Sequence, residues 1–199
     1  GGAAVVDVDC TAAGVMTCEE LALTSSETLP CALTCDAAAL DASSTRACKK
    51  LTFPCMGANA LTCSGEDSCV EARYTCGDGC ALTCEDGCHD MTLTAGTGAT
   101  VSCRATLFTS PGGGVHRGQR VCSGLEYAGP GLASLNCTGT HACQGLVAPS
   151  LPDAAVHCAS GKHCHEDWRV LSGSSAYGPA FIGDGVHIDS GVLCDGSSG

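Results

Sequence analysis

Cysteine recurs along this chain at a separation of 21 residues, and this period constrains the fold more than any other feature. The tetrapeptide Ala-Leu-Thr-Cys at 60–63 returns at 81–84, and an earlier copy lies at 32–35. A fixed period of this length is typical of a stack of repeats in which each unit contacts only its neighbours. Random placement of the 19 cysteines would give about 1.6 pairs at this separation, whereas seven are present. These pairs are Cys10/Cys31, Cys48/Cys69, Cys55/Cys76, Cys63/Cys84, Cys122/Cys143, Cys137/Cys158 and Cys143/Cys164.

Each period contains two strand-like segments with turn residues between them. The segment at 81–84 is followed ten residues later by a similar one at 91–94, and short strands at regular spacing are typical of an all-β fold. In Leu-Thr-Cys, leucine and cysteine share one face of a strand and threonine takes the other. We therefore predict an all-β fold: a parallel β-solenoid (β-helix) of about eight coils of roughly 19–21 residues, clasped by disulfides.

Two interruptions of the period and an atypical end define the domain organisation. We assign residues 1–9 to an N-terminal strand or cap, 10–164 to the disulfide-clasped solenoid, and 165–199 to irregular final coils and a C-terminal cap. Insertions are expected near 36–50 and 104–121. The first contains the best helix candidate, over 37–42, and the second contains a glycine-rich turn.

Most cysteines are close to another cysteine, with turn residues in between, which predicts local disulfides. A fully extended five-residue spacer would hold its ends about 20 Å apart, beyond disulfide reach, so these spacers must turn. The alternative is a ladder between cysteines one period apart, which leaves seven cysteines without partners. Local pairing is therefore favoured, with Cys194 left unpaired. The predicted pairs are Cys10/Cys18, Cys31/Cys35, Cys48/Cys55, Cys63/Cys69, Cys76/Cys80, Cys84/Cys88, Cys103/Cys122, Cys137/Cys143 and Cys158/Cys164.

This cysteine content indicates an oxidising compartment, because so many disulfides would not persist in a reducing cytosol. We expect an extracellular or cell-surface location. The net charge of −12, with only nine lysines and arginines, argues against binding to nucleic acid or to an anionic membrane. The apolar runs are too short for a membrane span. The ends, rich in glycine and serine and without an initiating methionine, fit a mature piece of a longer secreted protein.

The spacing Cys-x-Gly-x-x-x-Cys at 137–143, and its relative at 158–164, resemble the cysteine-rich repeats of secreted surface proteins. The Thr-Cys strands are also similar to those of the disulfide-bonded β-solenoid ice-binding proteins of insects. That resemblance implies an outward threonine face that binds ice. Its members here would be Thr34, Thr62, Thr75, Thr83, Thr92 and Thr94.

The densest cluster of chemically versatile side chains lies at the end of the repeats. In an extended segment His163, His165 and Asp167 point the same way, which would make a two-histidine, one-carboxylate metal face. The alternative is a polar loop at the start of the cap. Asn136, in Asn-Cys-Thr, fits the N-glycosylation acceptor pattern.

Acidic turns concentrate around Asp67, Asp78 and Asp86, and we expect them to lie along one edge of the stack. Stacked carboxylates bind calcium through hard oxygen ligands, but no known calcium motif is present. Solvated acids that keep the repeats soluble are the favoured interpretation. We therefore predict no cofactor.

No established hydrolase motif, such as Gly-x-Ser-x-Gly or His-Glu-x-x-His, occurs in the chain. We predict a non-enzymatic extracellular structural or adhesive module, such as one unit of a fibre or surface appendage. Its expected partners are a second copy, bound end to end, and glycans or surfaces. One alternative is an ice-binding solenoid, and a second is a β-helix that binds or cleaves polysaccharide.

Overall fold

The protein is all-β in the part of the chain that the structure, a computed structural model, describes. That part comprises residues 6–10, 18, 20–22, 31–36, 47–57, 59–65, 67–105, 107–109, 115–117, 120–139, 141–148, 155–159, 169–170 and 193–195. It contains sixteen strands and no helix. The helix candidate over 37–42 lies outside it. The strands are β1 Val6–Asp9, β2 Cys31–Asp36, β3 Thr52–Cys55, β4 Ala60–Ser64, β5 Arg73–Cys76, β6 Ala81–Glu85, β7 Thr92–Ala95, β8 Thr97–Arg104, β9 Leu107–Thr109, β10 Val115–Arg117, β11 Glu126–Ala128, β12 Gly131–Thr138, β13 Val147–Ala148, β14 Ala155–Ala159, β15 Arg169–Val170 and β16 Leu193–Asp195.

Fourteen of these strands form two parallel sheets. Sheet A has the order β1-β2-β4-β6-β8-β12-β14-β16, and sheet B has the order β15-β13-β11-β7-β5-β3. From β2 to β8 the chain passes from one sheet to the other with every strand. Parallel neighbours need a crossover connection, and each crossover in this region contains a strand of the opposite sheet. We call a sheet A strand and the sheet B strand that follows it a rung.

The cysteine period corresponds to strand register for three of the seven pairs, among them Cys137/Cys158. Cys63 lies opposite Cys84 in sheet A, and Cys55 lies opposite Cys76 in sheet B. The pair Cys10/Cys31 has the right separation but the wrong register. Because Asp9 pairs with Thr34, Cys10 aligns with Cys35. The aligned cysteines of sheet A are Cys35, Cys63, Cys84, Cys103, Cys137, Cys158 and Cys194.

One hydrophobic core lies between the two sheets, because the inward residues of both belong to the same buried cluster. Burial alternates along each strand; in β6 Leu82 and Cys84 are buried while Thr83 is partly exposed. Leucine stacks on leucine in successive rungs, and Phe53 stacks on Tyr74 in sheet B with ring centroids 5.6 Å apart. The core is therefore assembled from register-matched files of side chains.

Within the described residues, the corner between a sheet A strand and the residues that follow it is closed by a disulfide at six places. A cysteine of the sheet A strand bonds to a cysteine at the corner, which has a positive φ, such as 52° at Cys69. Backbone hydrogen bonds stack the corners, as from the Cys69 N–H to the Ala47 carbonyl at 2.8 Å. We call this disulfide the corner clasp. The corner clasps are Cys10–Cys18, Cys35–Cys48, Cys63–Cys69, Cys84–Cys88, Cys103–Cys122 and Cys137–Cys143.

The predicted pairs Cys31/Cys35 and Cys48/Cys55 are wrong: Cys31 bonds to Cys55, and Cys35 bonds to Cys48. The reason is that Cys31 and Cys35 lie on the same extended strand, where four residues span about 13 Å. The other five corner clasps and Cys76–Cys80 agree with the predicted local pairing. Cys164, the predicted partner of Cys158, lies outside the described residues.

The second insertion contains structure that the sequence did not reveal. Its glycine-rich turn, at 111–114, lies outside the described residues. The strands β9 and β10 on either side of it pair as an antiparallel two-stranded ribbon, with Val115 opposite Thr109. The Cys103–Cys122 clasp, with a separation of 19 residues, closes the base of this insertion. An insertion can therefore enter a rung without displacing the corner. Within the described residues, no helix has the length and apolar character needed to cross a membrane.

Candidate functional site

The outer face of sheet A carries a file of small polar side chains. Thr34, Thr62 and Thr83 are register neighbours, and Ser102 and Asn136 continue the file. Their burial is intermediate or low, whereas the leucines and cysteines on either side are buried. The outward orientation of threonine follows from the two-residue repeat of the strand.

The other three candidate threonines lie on the outer face of sheet B. Thr75 of β5 aligns with Thr94 of β7, and Arg73 aligns with Thr92. Because the two sheets share one core, their outer faces point away from each other. The expectation that six threonines would form one face is therefore wrong, since the sequence period does not distinguish the two strands of a rung.

Sheet B also has a shallow groove of about 410 Å³ on its outer face, lined by Arg73, Tyr74, Thr75, Thr92, Thr94 and Glu126. Arg73, Thr92 and Glu126 are consecutive register partners, so the arginine and glutamate Cα atoms are about 9.6 Å apart. The short threonine side chains of β7 lie between these two longer ones. The groove thus has a floor of hydroxyl groups with one positive and one negative wall.

No ion pair or hydrogen bond joins the side chains of Arg73 and Glu126 to another residue in the described part of the chain. Both side chains are exposed. Tyr74 lies beneath the groove, and its side chain is buried in the core. Desolvation there raises the pKa of its hydroxyl well above the ordinary value. The groove can therefore offer donors and acceptors together, but no aromatic platform.

The acidic turns do not share an edge of the stack. Asp67 and Asp86 lie at the corner with the clasps, whereas Asp78 lies at the opposite corner, between β5 and β6. Asp78 accepts hydrogen bonds from the Thr97 N–H at 2.7 Å and the Thr97 hydroxyl at 2.9 Å, and these bonds lower the pKa of the Asp78 carboxyl. It stabilises the turn of the next rung, which is a structural use of the acid.

Of the remaining predicted site residues, the structure describes some and not others. Asn136 is exposed on β12, and its Oδ1 accepts a hydrogen bond from the Thr138 hydroxyl at 3.2 Å, so the acceptor motif lies on the outer face of sheet A. The metal candidates His163, His165 and Asp167 lie outside the described residues. So does the side chain of Cys194, whose backbone belongs to β16.

Within the described residues, the side-chain groups close enough to hold a metal ion consist of cysteines alone. Cys63, Cys84 and Cys88 form one such group, with sulfurs within 4.8 Å of one another. All three sulfurs are in disulfides, and a metal requires the thiolate. The proximity instead reflects the stacking of clasps in successive rungs.

No protein-family model, curated protein or solved structure matches this chain. The eight disulfides within the described residues are consistent with an oxidising extracellular environment.

Sequence reasoning missed three residues that the structure brings forward. Arg73 and Glu126 are 53 positions apart in the sequence, and only the sheet register places them two strands apart.

Asn59 is buried at the register position of a cysteine, next to β4. Its Oδ1 accepts a hydrogen bond from the Cys31 N–H at 3.1 Å, and its amide donates to the Cys55 carbonyl. The available signal was its position immediately before the Ala-Leu-Thr-Cys motif, where Cys31 and Cys80 precede the other two copies.

Proposed function

We propose that this chain is a β-solenoid with a structural and adhesive function: a stiff extracellular rod, not an enzyme, that assembles end to end with further copies. The observation that carries the proposal is the corner clasp, which recurs at one structural position in six rungs. These six clasps limit opening and unwinding of the rungs that carry them. This is what a load-bearing element needs when many of its core side chains are cysteine and alanine.

Strand edges support the end-to-end arrangement. Among the described strands, β1 and β16 are the outermost strands of sheet A. An outermost strand presents backbone groups that can pair with another chain. Because the Cys10 N–H donates to Thr34 of β2, and N–H direction alternates along a strand, the N–H groups of Asp7 and Asp9 point to the open edge. Pairing of this edge with β16 of a second copy would continue the sheet head to tail.

A proline at the open edge tests this proposal. Asp7→Pro removes an outward N–H and keeps the bonds to β2, because proline is tolerated where the N–H faces solvent. Light scattering and electron microscopy of the wild type over a range of concentrations should show growing linear assemblies, and Asp7→Pro should reduce them. Asp7→Ala is the matched control, since it removes the same charge and keeps the donor. A wild type that stays monomeric at high concentration would overturn the proposal.

Ice binding is a second candidate, supported by the exact register of Thr34, Thr62 and Thr83 on sheet A. The register gives threonine hydroxyls at about 4.8 Å intervals along the rod. A thermal-hysteresis measurement with ice-crystal morphology tests it directly. Unshaped ice crystals at millimolar protein would exclude this function.

A further inference from the structure

We propose that the groove on the outer face of sheet B binds one uncharged sugar ring of a glycan. The inference names the ligand of the adhesive surface and rests on the adhesive part of the proposed function. It is independent of end-to-end assembly, because the groove lies on the lateral face of the rod, over β5, β7 and β11.

The size of the groove and its wall spacing favour a small ring. Its volume of about 410 Å³ lies within the range of small-molecule sites. Arg73 and Glu126 are separated by the width of two strand spacings, with Thr92 between them. One saccharide unit therefore fits between the walls, and the rest of a glycan chain can extend along the open face.

The chemistry of the groove favours hydroxyl groups as its ligands. Each threonine hydroxyl both donates and accepts a hydrogen bond, the Arg73 guanidinium only donates, and the Glu126 carboxylate only accepts. A sugar hydroxyl both donates and accepts, so the several hydroxyls of one ring can satisfy all three kinds of partner. Few other common ligands present this density of groups that both donate and accept.

The two opposite charges select against charged sugars. An anionic sugar that pairs with Arg73 brings its charge close to Glu126, and a cationic sugar that pairs with Glu126 meets the reverse problem. A neutral sugar makes charge-assisted hydrogen bonds to both walls. Because the groove is shallow and open, we expect a millimolar dissociation constant for one sugar. Several copies of the protein in one assembly would bind a glycan more tightly through avidity.

The probes are methyl mannoside, methyl galactoside and methyl glucoside, with glucuronate and glucosamine as the charged comparisons. Saturation-transfer NMR should detect binding of at least one neutral glycoside, and amide shifts should map it to β5, β7 and β11. Each charged sugar should bind more weakly than that glycoside. Absence of transfer from all three neutral glycosides, or tighter binding of glucuronate or glucosamine, would overturn the proposal.

A pair of identical substitutions on opposite faces locates the site. Thr94→Val removes one floor hydroxyl and keeps the β-branched shape that suits a strand; it should weaken binding about three- to tenfold. Thr62→Val makes the same change on sheet A and should leave binding unchanged. Equal weakening by both variants would refute the assignment to the groove. Intact assembly in light scattering together with absent sugar binding would remove this inference and leave the rod proposal standing.

Discussion

Removal of individual corner clasps tests how the rungs are stabilised, because the clasps join equivalent positions but close loops of different length. Cys63–Cys69 and Cys103–Cys122 have Cα–Cα distances of 6.1 and 6.0 Å, and all four cysteines are 0% exposed. Their sequence separations are 6 and 19 residues. The packing lost on replacement by alanine is therefore matched, so a difference in the free energy of unfolding reports on loop closure.

The chain-entropy model gives the size of that difference. Closure of a loop of n residues contributes about 0.6 kcal/mol plus 1.5RT ln n at 25 °C. This is about 2.2 kcal/mol for the Cys63–Cys69 loop and about 3.2 kcal/mol for the Cys103–Cys122 loop. We expect the double alanine variant at 103 and 122 to lose about 1 kcal/mol more free energy of unfolding than the variant at 63 and 69.

Urea unfolding followed by circular dichroism measures both losses, and equal m-values show that the same surface unfolds in each variant. Cys84–Cys88, with a separation of 4 residues, supplies a third point, at about 1.9 kcal/mol. Losses that are equal across the series, or largest for the shortest loop, would refute the entropic account. Such losses would mean that the clasp stabilises the rung by holding the corner residues in their positive-φ conformation.

Three further predictions test local features of the fold. Asn59→Ala removes two hydrogen bonds to buried backbone groups and should lower the free energy of unfolding by about 2–4 kcal/mol in urea titrations. An effect below about 0.5 kcal/mol would contradict this role. In Gly77→Ala the new Cβ would clash with the Met56 carbonyl oxygen of the preceding rung, so the melting temperature should fall. Its control, Gly131→Ala, places a Cβ with no atom within 4 Å and should change the melting temperature little. Similar shifts in both variants would argue against close rung packing. Thr97→Val should raise the pKa of Asp78 in an NMR titration but leave it below the ordinary value, because the backbone N–H bond remains; an unchanged pKa would contradict the hydroxyl contribution. The folded pKa of Asp78 is lowered, so its contribution to the free energy of unfolding is present above the unfolded pKa. This contribution is lost as pH falls through the folded pKa. Thr97→Val should therefore destabilise the protein less in acid than at neutral pH.

The sequence by itself determined the fold class, the parallel pairing and most of the disulfides. Side-chain direction alternates with every residue of a strand, so Leu-Thr-Cys specified which residues are buried without any knowledge of neighbours. The 21-residue period specified which strands pair, because Cys63 and Cys84 can stack only if their strands are parallel and in register. Short cysteine spacings specified the local clasps, since a nearby partner is reached first when the spacer must turn.

Only the tertiary structure decided which surfaces these elements form. The two strands of a rung look alike in sequence, yet they face opposite sides of the core, and this divides the threonines between two faces. The partners of Cys31 and Cys35 depended on strand extension, because an extended strand separates residues that are close in sequence. Arg73 and Glu126 became neighbours through sheet register across 53 positions. Periodicity constrains each residue relative to its own strand, whereas a binding surface depends on which strands lie side by side, and that is settled only when the rungs pack.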